Sequence, residues 1–456
     1  MRIKSYIAAL AMLLTASALL SACSDVEEHA SVSSVFTYIE PAEKFYVPEK
    51  TASTAPSTIT AVSETETESE TEVETTTVTT AETTVTETTT TAETTIETEE
   101  TVTESVSETL SENLYKADFP ANEDYVKISG RTFTQSNGTL ILSNSLSSAE
   151  FAFCGTSAEI TLTSDCSGSD ARVGIFVNGK RTIDTMLTEK TTTLKIFESI
   201  EPKNCIVSVV KLSEQSHSYV GVKNINVVSE YGVIPTPERE RRIEFIGDSI
   251  TCGYGVDAPN EHYNFSTETE DASKTYAALI GDELDADVNL VAWSGIGAYS
   301  CYTSGDEPSQ WKLISGIYGK TDVMHTSQNW DFSQWQPDAV VINIGTNDNS
   351  WTREIAERVD TFGRAYYDLI VQVREANPNA YIICSLGAMG KDLLPEIKEQ
   401  VAAYSSDTGD YRITAFEFDM QNGYTDGYGA DYHPSAETHR KMADKLAPFI
   451  AELMNW

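Results

Sequence analysis

Arg242-Ile243-Glu244-Phe245-Ile246-Gly247-Asp248-Ser249-Ile250 runs from an apolar strand straight into a tight turn, and its surroundings decide how the second half of the chain folds. Downstream, Lys274 to Leu284 reads as a helix and Val288 to Trp293 as a strand. Asp338 to Ile344 reads as a buried strand, followed by a helix from about Thr352 to Ala376, a strand at Ala380 to Ser385 and a last helix from about Ser435 to Leu453. Apolar strands alternating with helices predict an α/β domain over residues 240–456, a parallel sheet covered on both faces. Ligands of such sheets bind beyond the carboxyl ends of the strands, so the residues just after each strand are the ones to read.

Ser249 stands on the turn after the first of these strands. Gly-Asp-Ser is also ordinary turn and helix-cap chemistry, and the Gly-x-Ser-x-Gly elbow is absent. A serine hydroxyl is a poor nucleophile until a neighbour takes its proton. The candidate base is His433, in Asp431-Tyr432-His433-Pro434-Ser435 just before the last helix, whereas His439, one turn along, reads as structural. The strand at Val340 to Ile344 ends in Gly345-Thr346-Asn347-Asp348, where the Asn347 amide can donate to a developing oxyanion. Ser294-Gly295-Ile296-Gly297 follows another strand, and glycine there lets a backbone N–H approach a substrate. Trp293, Trp351, Tyr254 and Tyr432 flank these motifs, with faces suited to stacking on sugar rings or to core packing.

Taken in order, these four blocks resemble those of the SGNH (GDSL) hydrolases. The resemblance implies a three-layer α/β/α, flavodoxin-like domain that works without metal or other cofactor. It makes Ser249 the nucleophile and His433 the base. The oxyanion would be held by the Ser249 N–H, the Asn347 amide and a glycine N–H, Gly297 first and Gly295 as the alternative. One departure stands out: the family places an Asp three residues before the histidine, where this chain has Ala430, and Asp431 lies two before. Either Asp431 completes a triad or a backbone carbonyl orients the imidazole. Here the chain resembles carbohydrate esterase family 2, some of whose members use a Ser-His dyad and which carries a β-sandwich before the SGNH domain. That likeness implies an acetylated polysaccharide as partner: the xylan, mannan or glucomannan of plant cell walls, deacetylated at sugar hydroxyls. Fold does not set the acyl chain, so a lipase or lysophospholipase is one alternative and a glycan-binding lipoprotein without turnover is another.

Residues 113–236 read as short alternating runs, among them Thr139 to Leu142, Ala158 to Leu162, Val173 to Val177, Thr193 to Ile196 and Cys205 to Val210. Asn178-Gly179 between two runs is a hairpin signal, and the spacing predicts a β-sandwich of jelly-roll type. Such a unit either packs on its neighbour or binds carbohydrate.

At the start, basic Arg2 and Lys4, an apolar run to Leu20 and then Leu20-Ser21-Ala22-Cys23 form an export signal over residues 1–23. Its end resembles a bacterial lipobox, which would lipidate Cys23 and anchor the protein to the membrane at the cell surface. An ordinary cleaved signal is the alternative, and the run is short for a transmembrane span. Residues 24–112 form a stalk, almost wholly Thr, Glu, Ser and Val from Thr51 onward, too polar to bury a core and extended by its own charge. The stalk supplies much of the formal net charge of −39, and no basic stripe offers itself to phosphates, which argues against nucleic acid as a partner. The expectation is a monomer. Besides Cys23 there are six cysteines, whose spacing chooses no disulfide pairing and contains no Cys-x-x-Cys metal signal.

Overall fold

The structure, a computed structural model, describes residues 114–456 apart from 167, 216–217 and 322–327. The export signal, the lipid attachment at Cys23 and the stalk over 24–112 lie outside the described residues.

The second unit is a five-stranded parallel sheet in the spatial order Ala286–Ala292, Arg241–Gly247, Ala339–Asn343, Tyr381–Ala388, Ile413–Met420. In chain order this is 2-1-3-4-5, the doubly wound, flavodoxin-like arrangement. The direction in which successive strands are added reverses between the first and third strands, and the crevice there is the binding position of such folds. Period-two alternation along Arg241–Gly247 builds both layers. Ile243 and Phe245 enter a core with the helices Tyr276–Glu283 and Ala436–Met454. Ile246 faces the opposite core, filled by Phe362, Tyr366 and Leu369 of Ala356–Ala376 and Ile397 of Leu394–Thr408.

Two helices are shorter than their sequence suggests. The one expected from Lys274 begins at Tyr276, because extended Thr275 caps it with its hydroxyl on the Ala278 N–H. The one expected over Thr352 to Ala376 begins only at Ala356; a separate short helix, Thr346–Thr352, precedes it, and Arg353 and Glu354 at φ 44° and 61° part the two in a left-handed conformation that no helix continues through.

The first unit is a curled ten-stranded antiparallel sheet around its own apolar core. Val177↔Lys180 pairing closes a hairpin over Asn178-Gly179, both at positive φ, as that dipeptide predicts. The runs at Thr193 to Ile196 and Cys205 to Val210 belong to one long strand, Thr191–Lys211. Its pairing with Ser148–Thr163 jumps from Ser157↔Glu198 to Gly155↔Lys203, and this irregularity made one strand look like two.

Buried charges join the units. Lys127 of the first lies 2.6 Å from Asp287 at the amino end of Ala286–Ala292. Arg131, wholly buried, reaches Glu244 of Arg241–Gly247 at 3.2 Å and donates to the carbonyls of Tyr318 and Lys320. No helix among the described residues is long and apolar enough to cross a membrane, and all six cysteines outside the signal are free thiols.

Candidate active site

Ser249 opens a four-residue helix, Ser249–Cys252, at the carboxyl end of the strand Arg241–Gly247. Asp248 caps that helix by accepting the Ile250 N–H at 3.0 Å. As the first helical residue, Ser249 has a backbone N–H without an intrahelical acceptor. Its Oγ lies 2.8 Å from Nε2 of His433.

His433 follows a tight turn, Ala430–Tyr432, in which Asp431 and Tyr432 are left-handed at φ 48° and 62°. Non-glycine residues rarely sit there, and two in succession mark a turn held by its surroundings. The consequence is a correction to Asp431 as triad acid. Its carboxylate accepts from the Tyr254 hydroxyl at 2.8 Å and the Phe265 N–H at 3.1 Å, while Nδ1 of His433 faces the Ala430 carbonyl at 3.1 Å. A carbonyl accepts only, so Nδ1 carries the proton and Nε2 presents its lone pair to Ser249. Tyr254 lies on the imidazole with ring centroids 3.9 Å apart, so Asp431 acts on the histidine through the ring it anchors. Burial pushes the His433 pKa down to about 4, the Ala430 carbonyl and Asp431 opposing it.

Asn347 is the second residue of the helix Thr346–Thr352 after the strand Ala339–Asn343, across the reversal crevice from Ser249. Its amide donates to the Ile296 carbonyl at 2.9 Å and makes a longer contact, 3.4 Å, with Asp248. Asp348, not singled out from sequence, accepts the N–H groups of Ala298, Tyr299 and Ser300 at 2.8–2.9 Å and so ties the loops after two strands together. Burial raises its pKa to about 6 against those three donors, and burial with the Asp348 charge raises Asp248 to about 7. The signal for Asp348 was its place beside Asn347.

Between the two glycines the geometry reverses the expected preference. Gly297 is buried, and a Cβ there would meet the Ser300 carbonyl at 2.0 Å and Asp348 at 2.6 Å, so close packing explains the glycine. Gly295, half-buried at φ +80°, has open space around its Cβ position and lines a cavity, whereas Gly297 does not; neither N–H pairs with a carbonyl among the described residues. Gly295 is the more accessible of the two donors.

The aromatic candidates divide. Trp351 is 7% exposed, its N–H on the Asp306 carbonyl and its ring between Tyr299 and Arg358, and Trp293 is a core residue. Trp351 offers no face to a sugar, and the nearly buried Trp293 ring reaches the surface only as part of a cavity wall, with Lys312 over it at 4.3 Å. Tyr254 covers the histidine, and Tyr432 is 54% exposed. Sequence reading missed Tyr302 and Trp311, 66% and 71% exposed, which with Trp293, Gly295 and Lys312 line a cavity of about 280 Å³. His439 is structural as read: buried, it accepts the Tyr276 N–H at 3.2 Å.

One group among the described residues has metal-ligand geometry, Glu214, Cys252 and Glu270, whose donor atoms lie within 4.8 Å of one another. Lys211, buried beside them, already supplies positive charge to all three.

Residues 243–446 match the GDSL-like Lipase/Acylhydrolase family and residues 128–237 the Carbohydrate esterase 2 N-terminal family. A solved structure of a family two carbohydrate esterase from Clostridium thermocellum in complex with cellohexaose is 31% identical, with a TM-score of 0.64 over 73% of this chain and 99% of that one. The Cellulase/esterase CelE of Acetivibrio thermocellus is 33% identical over 314 residues, 68% of this chain but only 37% of that protein's length. An Acetylxylan esterase / glucomannan deacetylase of Cellvibrio japonicus is 24% identical over 342 residues, 74% of this chain and 91% of that protein.

Proposed function

The chain belongs to carbohydrate esterase family 2, and from that premise we propose that it is a serine esterase removing O-acetyl groups from plant cell-wall xylan, mannan or glucomannan. The observation that carries the reading is the 2.8 Å contact between Ser249 Oγ and His433 Nε2, with Nδ1 on the Ala430 carbonyl. In this reading His433 takes the serine proton as Oγ attacks the ester carbonyl, then returns it to the departing sugar hydroxyl. The acyl-serine is hydrolysed by water with the same base. Negative charge on the tetrahedral oxygen is met by the N–H groups of Ser249 and Gly295 and by the Asn347 amide, whose long contact with Asp248 is the weaker of its two. The names of the relatives support the substrate class, and exposed Tyr302, Trp311 and Tyr432 supply aromatic surface of the kind that stacks on sugar rings. We place the protein as a monomer outside a bacterial cell, held at the surface through lipidated Cys23 with residues 24–112 as spacer.

Acetate release from acetylated xylan and glucomannan, and turnover of short- and long-chain nitrophenyl esters, tests the proposal against Ser249→Ala. Polysaccharide and short-chain turnover that disappears in the variant is expected. Preference for long acyl chains would make the protein a lipase, and glycan binding without turnover would make it a binding protein; either overturns the proposal.

The pH profile has a definite sign. Protonation of His433 removes the base, and burial holds its pKa near 4, well below the ordinary imidazole value of about 6.5. His433 should therefore contribute no acid limb to initial-rate kcat/KM above about pH 5, and any fall between pH 7 and 5 should come from protonation of Asp248 and Asp348, whose pKa values burial raises to about 7 and about 6. An acid limb at the ordinary imidazole value that persists in Asp348→Asn and Asp248→Asn would mean that the ring is solvated.

A further inference from the structure

The loop that carries Gly295 is held from the other domain. Glu214 follows the strand Thr191–Lys211 of the β-sandwich and is 2% exposed, and its Oε2 accepts the backbone N–H of Ser294 at 2.8 Å. Ser294 is the residue directly before Gly295. Other contacts of this loop come from the hydrolase unit itself, among them the Trp293 N–H on the Gly247 carbonyl, the Tyr302 N–H on the Gly295 carbonyl, the Ile314 N–H on the Gly297 carbonyl, the Asn347 amide on the Ile296 carbonyl and Asp348 on the N–H groups of residues 298–300.

Glu214 is itself fixed on both sides. Its own N–H donates to Oε2 of Glu270 at 2.9 Å, and buried Lys211 donates to the carbonyls of Ser213 and Glu214. The Ala272 N–H donates to the Leu212 carbonyl, so the segment around Glu214 is bound to the hydrolase unit along its length. These contacts fix the backbone that carries the side chain; the carboxylate itself takes the Ser294 N–H and, on the same oxygen, a 3.8 Å contact from the buried Cys252 thiol. A carboxylate makes a charge-assisted hydrogen bond to an amide, about twice as strong as a neutral one. Burying a carboxylate costs free energy, which a purely apolar domain contact would avoid. Here the buried charge sits on one side of the Ser294 residue and the oxyanion donor on the other.

We propose that Glu214 is a positioning residue for the reaction at Ser249: the β-sandwich supplies the carboxylate that sets the direction of the Gly295 N–H, so the first domain is part of the oxyanion hole. The inference rests on the acyl-transfer reading above. It assigns the sandwich a catalytic consequence whether or not it binds carbohydrate.

The test measures kcat and KM on a short-chain nitrophenyl ester, with melting temperature, for the full chain and three variants. Glu214→Ala leaves the Ser294 N–H without an acceptor, and kcat should fall about a hundredfold with KM nearly unchanged. Glu214→Gln keeps a carbonyl oxygen at the same place and should recover most of that loss. Lys127→Met breaks the domain contact to Asp287 at the far, amino edge of the sheet, so it should lower the melting temperature and leave kcat unchanged. Wild-type kcat in Glu214→Ala, or an equal kcat loss in Lys127→Met, would reduce Glu214 to a general domain contact and overturn the proposal. So would a Glu214→Gln variant that is folded but as slow as the alanine. A wild type that turns over no ester at all overturns the acyl-transfer reading and this one together.

Discussion

Ser249→Ala, His433→Ala and the double variant should all turn over ester at the same residual rate, about 10⁴-fold or more below wild type. The two side chains act as one unit across their 2.8 Å contact, so removing the second costs little once the first is gone. The residue of catalysis that survives comes from the oxyanion donors and from substrate binding. Asp431→Asn should differ in kind. Its carboxylate holds Tyr254 and the Phe265 N–H, while the Ala430 carbonyl keeps the imidazole in its tautomer. The variant should slow turnover by about tenfold, far short of the ~10⁴ that follows when a carboxylate directly orients the ring. Single-turnover and steady-state rates on a nitrophenyl acetate ester decide both points. A double variant much slower than either single one would mean independent roles, and an Asp431→Asn loss as large as His433→Ala would restore the triad.

What could be read ahead of the structure was whatever is local. The run Ala339 to Ile342 is apolar because both of its faces are covered, and Ser249 and Asn347 stand at strand ends where a doubly wound sheet presents its site. The strand Ile413–Met420 was missed for the opposite reason. It lies at the sheet edge, and its outer positions Glu417 and Asp419 pair with Lys391, Lys398 and Lys445 on the surface, so its pattern is half polar. The orientation of His433 depends on the backbone angles of Asp431 and Tyr432, which composition does not reveal. Gly295 and Gly297 are alike as letters, and only the packing of Ser300 and Asp348 against one of them separates their duties. Glu214 and Arg131 reach partners 80 and 113 positions away, and a charged residue in a run of strands ordinarily reads as solvated surface.

Arg131→Met should lower the stability of the folded chain by about 3 kcal/mol, because removing one partner of a buried ion pair leaves the other charge without its counterion. Arg131 lies between the rings of Tyr318, Trp330 and Phe332 at 5.1–5.4 Å, so the substitution keeps apolar volume but gives up the cation over three aromatic faces. It also strips a donor from the carbonyls of Tyr318 and Lys320. Glu244 retains the Tyr318 hydroxyl at 2.8 Å and the Asn289 amide at 2.9 Å, which places the loss at the lower end of the usual range for such pairs. For a folded region of this size the melting temperature should drop by about 4 °C. Adding Glu244→Gln removes the stranded charge; its amide oxygen can accept from the Asn289 amide and its NH2 can donate to the Tyr318 hydroxyl, which accepts as well as donates, so the double variant should regain part of the loss. A single variant as stable as wild type would show that the pair contributes nothing beyond its desolvation cost. A double variant less stable than the single one would show that Glu244 is needed as a charge by Asn289 and Tyr318 themselves, making that strand, rather than the contact between the two domains, the part of the fold that Arg131 supports.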